Sequence, residues 1–151
     1  VMAAEIIHQI EHVPTHIYLQ AGVGGLAGAM AACFRAAWGD APMITVVEPA
    51  FAPALTNSII EGKFVSTSGP VSDMGRLDCK EASLIALAGL SRDANSFVTL
   101  TEKECLDAIQ VLPKYNLDTS SSGGAGIAAM TMSDLPSDAR VLCILSEGPD
   151  E

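Results

Sequence analysis

Thr15-His16-Ile17-Tyr18-Leu19-Gln20-Ala21-Gly22-Val23-Gly24-Gly25-Leu26-Ala27-Gly28-Ala29 is the stretch that decides the fold. Thr15–Gln20 reads as a strand. Ala21–Gly28 is a glycine-rich turn, and residues 25–38, mostly Ala and other small residues, read as a helix that grows out of it. A strand that passes through glycines into a helix start is an anion cradle. The first N–H groups of a helix have no intrahelical partner and carry partial positive charge. Glycines let the backbone approach an anion with no Cβ in the way. Gly22, Val23, Gly24, Gly25 and Leu26 are therefore the candidate phosphate-binding residues.

Outward from this stretch the pattern alternates. Residues 1–12 form a helix with Ile6, Ile7 and Ile10 as its apolar stripe, ended by Pro14. Met43–Val47 is a continuous apolar strand, as expected when both faces of a sheet are covered. A helix over 51–61 closes at Gly62. Residues 63–80 are irregular and rich in Ser, Thr, Gly and Pro. A helix over 81–91 and a strand over 96–100 follow. Thr101 with Glu104 makes a capping box that opens a helix to about Leu112. After a loop over 113–122 come a short small-residue helix over 124–132 and a strand over 140–145 that runs into Ser146-Glu147-Gly148. Strands alternating with helices predict a three-layer α/β fold, with a mainly parallel sheet and helices on both faces, as a single domain over 1–151.

Composition narrows the classes. The chain has 151 residues, 49% apolar and 17% charged, which supports a packed core. Its net charge of −10 disfavours nucleic acid and anionic membrane surfaces as partners but leaves room for one local anion site made of backbone amides. No run reaches the roughly 18 apolar residues of a membrane span, and no signal peptide is visible. Cys33, Cys79, Cys105 and Cys143 are widely spaced, with no CxxC pair, and read as reduced thiols of a cytoplasmic protein. His8, His12 and His16 recur every four residues, but Pro14 breaks the helix between them, so no metal site is expected.

The glycine loop admits two ligands. Gly22-Val23-Gly24-Gly25-Leu26-Ala27 fits GxGxxA, and Glu48 lies 21 residues after Ala27, where the ribose-binding acid of an NAD-binding Rossmann domain would sit. The same loop equally suits a single phosphate group. Ser146, just past the carboxyl end of a buried strand, lies where ligands of open α/β sheets bind, and its hydroxyl can bond a pyridine nitrogen without forcing its protonation. Other residues have blander readings: Glu48 as a strand-end hydrogen bonder, Cys79 as a packed thiol, Arg76 and Lys80 as charges paired with Asp73, Asp78 or Glu81, and Trp38 as a core anchor.

THIYLQAGVGGLAGA, ITVVEP, MGRLDCKEASLIAL, SSSGGAGIAAM and LSEGPD, in this order, resemble the diaminopropionate ammonia-lyase branch of the fold-type-II pyridoxal-phosphate lyases, a family shared with threonine dehydratase and the tryptophan synthase β chain. The resemblance implies pyridoxal 5′-phosphate as cofactor, its phosphate on Gly22–Leu26 and its pyridine nitrogen facing Ser146. It implies α,β-elimination on a small amino acid, from 2,3-diaminopropionate to pyruvate and ammonia, or in the alternative a serine- or threonine-type dehydratase. The family's Schiff-base lysine lies upstream, and Lys63, Lys80, Lys103 and Lys114 do not stand in its context. The chain is thus expected to be the C-terminal part of a longer, homodimeric enzyme, inactive without its N-terminal half, with no catalytic residue in this segment. Lys80 and Ala82 replace a glycine and a proline common in the family, and Ser121 replaces an acid.

Overall fold

The opening strand occupies the interior of a four-stranded, all-parallel sheet. The structure, a computed structural model, describes residues 2–149. Its strands are β1 (His16–Gln20), β2 (Met43–Pro49), β3 (Ser96–Leu100) and β4 (Val141–Cys143), in the spatial order β3-β2-β1-β4. His16 pairs with Met43 on one side and with Val141 on the other. The helices are α1 (Met2–Gln9), α2 (Gly25–Trp38), α3 (Ala54–Glu61), α4 (Leu84–Asp93), α5 (Glu102–Ile109) and α6 (Ser121–Thr131).

The period of two in β1 and β2 divides the core. Ile17, Leu19, Ile44 and Val46 point to one face, where they meet Ala27, Met30, Ala31 and Phe34 of α2 together with Leu55 and Leu90. Tyr18 and Val47 point to the other, where Cys105 of α5 and Ala125, Ala128 and Ala129 of α6 cover them. Helices therefore flank both faces, and the three-layer α/β fold stands as read. Trp38 stacks on Phe34 with ring centroids 4.9 Å apart and packs against the first cluster, the anchor anticipated for it.

Boundaries shift where local capping chemistry decides them. The first helix ends at Gln9 rather than reaching residue 12, and Val1 lies outside the described residues. Pro53 delays the third helix to Ala54, and Ser83, whose hydroxyl accepts from Ala86 N–H, delays the fourth to Leu84. The Thr101–Glu104 capping box is present with both of its hydrogen bonds. That helix stops at Ile109, and a 3-10 turn at Leu112–Tyr115 takes up part of the predicted loop. Ser120 caps the last helix by accepting from Gly123 N–H, so that helix begins at Ser121, three residues early. The last strand spans only 141–143, and Asp150 of the LSEGPD motif lies outside the described residues.

Segment 63–80 is irregular, with one 3-10 turn at Gly75–Leu77, yet it is tied down by side chains. Lys80 Nζ donates to the carbonyls of Phe51 and Pro70, both at 2.8 Å, and pairs with Asp78 at 2.6 Å. Glu102 accepts from the Ser72 hydroxyl at 2.7 Å and from Asp73 N–H at 2.9 Å. These bonds supply partners that no helix or ladder offers this stretch.

Candidate functional site

The order β3-β2-β1-β4 makes the chain reverse direction across the sheet beside β1, and a crevice opens there at the carboxyl ends of β1 and β4. It holds a cavity of about 280 Å³ lined by Gly22–Leu26 on one wall, Arg76, Leu77 and Cys79 behind it, and Gln20, Ser122, Ser146 and Glu147 opposite. All six residues singled out from the sequence line this one space.

The glycine wall is built from backbone. Gly24, at φ +92° in the left-handed region, caps α2 with no side-chain hydrogen bond, so the first amides of α2 are left for a ligand. A Cβ on Gly24 would stand 3.0 Å from both Ala86 Cβ and Leu55 Cδ1. One on Gly22 would stand 3.0 Å from the Arg76 carbonyl and from Cys79 Sγ. At Gly25, by contrast, a Cβ would meet nothing within 4 Å. No acidic side chain lies in the first turn of α2 to oppose an anion.

The opposite wall is built from side chains on the amino end of α6. Gln20 is buried at the end of β1. Its Nε2 donates to the carbonyls of Gly123 at 3.0 Å and Ile144 at 2.9 Å and lies 3.1 Å from Ser146 Oγ. Its Oε1 is buried with no partner among the described residues, at a cost of about 1–3 kcal/mol. Glu147 Oε1 accepts from the Ser120 hydroxyl, and Oε2 pairs with Arg76 Nε. Thr119 Oγ1 donates to the Glu147 carbonyl at 2.8 Å, and Ser120 N–H donates to the Gly148 carbonyl at 2.9 Å. Ser122 Oγ accepts from Arg76 N–H at 3.1 Å. The start of α6 thus grips both the 146–148 turn and the segment behind the glycine loop. Gly123 makes this possible, since a Cβ there would lie 2.4 Å from Thr119 Oγ1 and 2.8 Å from Glu147 Cγ.

Several readings change. Glu48 is fully buried and points away from the cavity. Oε1 accepts from Leu55 N–H at 2.8 Å, and Oε2 accepts from Thr56 N–H at 2.7 Å and Thr56 Oγ1 at 2.6 Å. It caps α3, as a strand-end hydrogen bonder would, and its burial keeps it from a ribose in the cavity. Burial pushes its carboxyl above the ordinary value, partly offset by the three hydrogen bonds. Arg76 pairs with Glu147, not with the acids near it in sequence. Lys80 does pair with Asp78, and it lies outside the cavity, as do Lys63, Lys103 and Lys114. Cys79 is half-buried and lines the cavity. Cys105 and Cys143 are desolvated, with their thiols pushed up to about 11 and about 12, which makes them poor nucleophiles at neutral pH. Sequence reasoning missed Gln20, Ser122 and the Arg76–Glu147 pair. Only Gln20 had a local signal, a large amide closing an otherwise apolar strand.

A cavity at the switch point of a parallel sheet, with bare helix amides on one wall and a hydroxyl on the other, has the features with which open α/β domains hold anionic ligands. The sequence pattern of the pyridoxal-phosphate dependent enzymes matches residues 1–147, and the chain belongs to that family, whose cofactor is pyridoxal phosphate. The dinucleotide alternative falls with this match and with the burial of Glu48. Diaminopropionate ammonia-lyase of Escherichia coli (strain K12) is 26% identical over 97% of this chain, which spans 42% of that enzyme. A crystal structure of the Escherichia coli enzyme superposes with a TM-score of 0.84 at 25% identity, covering 97% of this chain and 42% of that one. Threonine deaminase isoform 2 from Solanum lycopersicum superposes at 0.87 with 20% identity, covering 99% of this chain and 42% of its own, and maize serine racemase at 0.84 with 19% identity, covering 99% and 46%. These last two show the shared fold.

The residues fit pyridoxal phosphate on structural grounds. Bare amides at Gly24–Leu26 suit the phosphate, the open space beside Gly25 leaves room for it, and Ser146 stands across the cavity for the ring.

Proposed function

We propose that this chain is a single α/β unit, the C-terminal part of a longer pyridoxal-phosphate-dependent enzyme that performs α,β-elimination on a small amino acid, converting 2,3-diaminopropionate to pyruvate and ammonia. The observation that carries the reading is the convergence of Gly22–Leu26 and Ser146, more than 100 residues apart in sequence, on one cavity. When bound, the cofactor supplies an electron sink for the carbanion left at the substrate's α-carbon. The amides of Gly22–Leu26 bind the phosphate and the dipole of α2 adds to that attraction. Ser146 would offer its hydroxyl as a hydrogen-bond donor to the ring nitrogen, the proton staying on the serine, an arrangement that would favour the unprotonated ring. Arg76, Leu77 and Cys79 of segment 75–79 line the cavity behind the glycine loop. The Schiff-base lysine belongs to the N-terminal half, since none of the four lysines here lines the cavity. The whole enzyme is read as a cytoplasmic homodimer. No helix among the described residues is long and apolar enough to cross a membrane.

Borohydride reduction of the intact protein, followed by denatured mass, tests this. A single pyridoxyl adduct on a lysine outside residues 1–151 is expected. A protein with no adduct would be a silent relative, and an adduct on Lys63, Lys80, Lys103 or Lys114 would overturn the placement of the lysine. Turnover of 2,3-diaminopropionate against serine and threonine then separates the ammonia-lyase from a dehydratase of the same fold.

A further inference from the structure

We infer that Lys80, which lies outside the cavity, is a positioning residue for phosphate: its ammonium pins the stretch of chain behind the glycine loop and so holds the loop in the shape that offers its amides to an anion. This rests on the reading above that Gly22–Leu26 hold the phosphate.

Residues 76–86 lie directly behind the loop. A Cβ on Gly22 would stand 3.0 Å from the Arg76 carbonyl and from Cys79 Sγ, and 3.2 Å from Leu77 Cα. Ser83 N–H donates to the Val23 carbonyl at 2.8 Å. A Cβ on Gly24 would stand 3.0 Å from Ala86 Cβ. Three successive loop positions thus rest on this stretch. From Asp78 to Ser83 the stretch is in neither helix nor strand, so its own place depends on side chains.

Lys80 supplies the fastening. Its Nζ has three hydrogens and meets three oxygens: the carbonyls of Phe51 and Pro70, both at 2.8 Å, and Asp78 Oδ1 at 2.6 Å. Its carbonyl accepts from Thr67 N–H at 2.8 Å. Phe51 stands two residues past the end of β2, so the ammonium ties the backing of the loop to the carboxyl edge of the sheet. Gly69 permits the approach, since a Cβ there would stand 3.1 Å from the Phe51 carbonyl. A neutral side chain of the same length could fill the space but would leave both carbonyls without their donor. The other fastening of segment 63–80 is Ser72 and Asp73 on Glu102, at the start of α5, and none of its bonds reaches residues 76–86. Lys80 is therefore the tether that acts on the loop. Coupling between sites is reciprocal, so bound phosphate must tighten the Lys80 fastening by the factor with which the fastening favours phosphate.

The intact apoprotein is titrated with pyridoxine 5′-phosphate, pyridoxine and inorganic phosphate, none of which carries an aldehyde to react with lysine. The unmodified protein should bind pyridoxine 5′-phosphate more tightly than pyridoxine, and the ratio of the two Kd values reads the phosphate contact. Lys80→Met should reduce that ratio, and the affinity for inorganic phosphate, by about tenfold, with the affinity for pyridoxine unchanged. Ser72→Ala loosens the same segment at its other fastening and should lower Tm without moving the ratio. In the unmodified protein, pyridoxine 5′-phosphate should slow acetylation of Lys80 by about the same factor, read by peptide mass, and leave Lys63, Lys103 and Lys114 as they were. If Lys80→Met keeps the full ratio, or if Ser72→Ala lowers it as far, Lys80 does not position the loop and the inference fails alone. If the unmodified protein binds pyridoxine 5′-phosphate no better than pyridoxine, the phosphate site itself fails and takes the inference with it. Should Lys80→Met not fold, the acetylation rates decide: protection of Lys80 by the ligand supports the inference, and equal rates with and without it overturn it.

Discussion

The two walls of the cavity are made in opposite ways. The glycine wall is contiguous, Gly22 to Leu26, and its working groups are main-chain amides exposed by a left-handed Gly24 and a bare helix start. The serine wall is assembled from Gln20, the start of α6 and the 146–148 turn, and the hydrogen bonds that tie these three pieces together join residues distant in sequence. One wall is a property of a short peptide placed between a strand and a helix. The other exists only when β1, β4 and α6 are already packed. Bare amides at a strand-to-helix junction can therefore be read off a sequence, whereas the contacts that assemble the opposite wall must be read off a fold.

Glycine substitutions break the comparison most directly. Gly123→Ala should be the most destructive, because its Cβ would overlap Thr119 Oγ1 and Glu147 Cγ and drive the 146–148 turn off α6. Overpacking of that kind should cost about 3 kcal/mol, less the ~1 kcal/mol that Ala gains over Gly in a helix. Denaturant unfolding should show the loss, and phosphate binding should survive in the molecules still folded. Gly24→Ala attacks the other wall: left-handed strain of about 1–2 kcal/mol adds to the 3.0 Å contacts with Leu55 and Ala86. Here phosphate affinity should fall with stability, and a variant that kept full phosphate affinity would disprove the cradle.

Glu48 sharpens the comparison from outside the cavity. Its folded-state pKa lies above the ordinary carboxylate value, so the stability it contributes is present at acid pH and is lost as pH rises through that raised value. Glu48→Gln removes this titration. The gap in Tm between wild type and variant should therefore change across pH 4–7, with wild type losing ground as the pH rises. A gap that stays constant would show that the buried carboxyl titrates normally. At any pH Glu48→Ala should cost about 2 kcal/mol, since it leaves the Leu55 and Thr56 amides at the start of α3 without their acceptor.

The smallest effects separate ligand binding from folding. The Arg76–Glu147 pair has an arginine side chain 76% exposed, so Arg76→Ala should change unfolding free energy by no more than about 0.5–1 kcal/mol, and less at high salt. Gly25→Ala should leave the melting temperature almost unchanged, because its Cβ meets nothing within 4 Å. It should nevertheless weaken phosphate binding, because the methyl enters the space that a phosphate would fill.

The order of strands and helices was legible from residues that act locally. Met43–Val47 read as a strand covered on both faces, and Ile44, Val46 and Val47 are buried although Met43 is exposed; Thr101 with Glu104 announced a helix start that the structure reproduces bond for bond. Helix ends were less legible where a distant or unsuspected cap decided them, as Ser120 did for α6. In the site, the glycine loop and Ser146 stood out by type and position. Arg76 did not, because its partner is Glu147, 71 residues away, while nearer acids offered a false choice.

The sequence by itself determined the class: apolar strands alternating with small-residue helices bury both faces of a parallel sheet, and glycines at a strand-to-helix junction free amides for an anion. Those are short-range effects of backbone freedom and hydrophobic period. Tertiary structure alone decided what Glu48 and Gln20 do, although each closes its strand with a polar side chain. Glu48 lies on the face that meets α3 and is consumed as its cap. Gln20 lies on the face that meets α6, beside β4, and there its NH2 finds Gly123, Ile144 and Ser146. The face of the sheet, and the element packed against it, settled which of the two residues would serve the site.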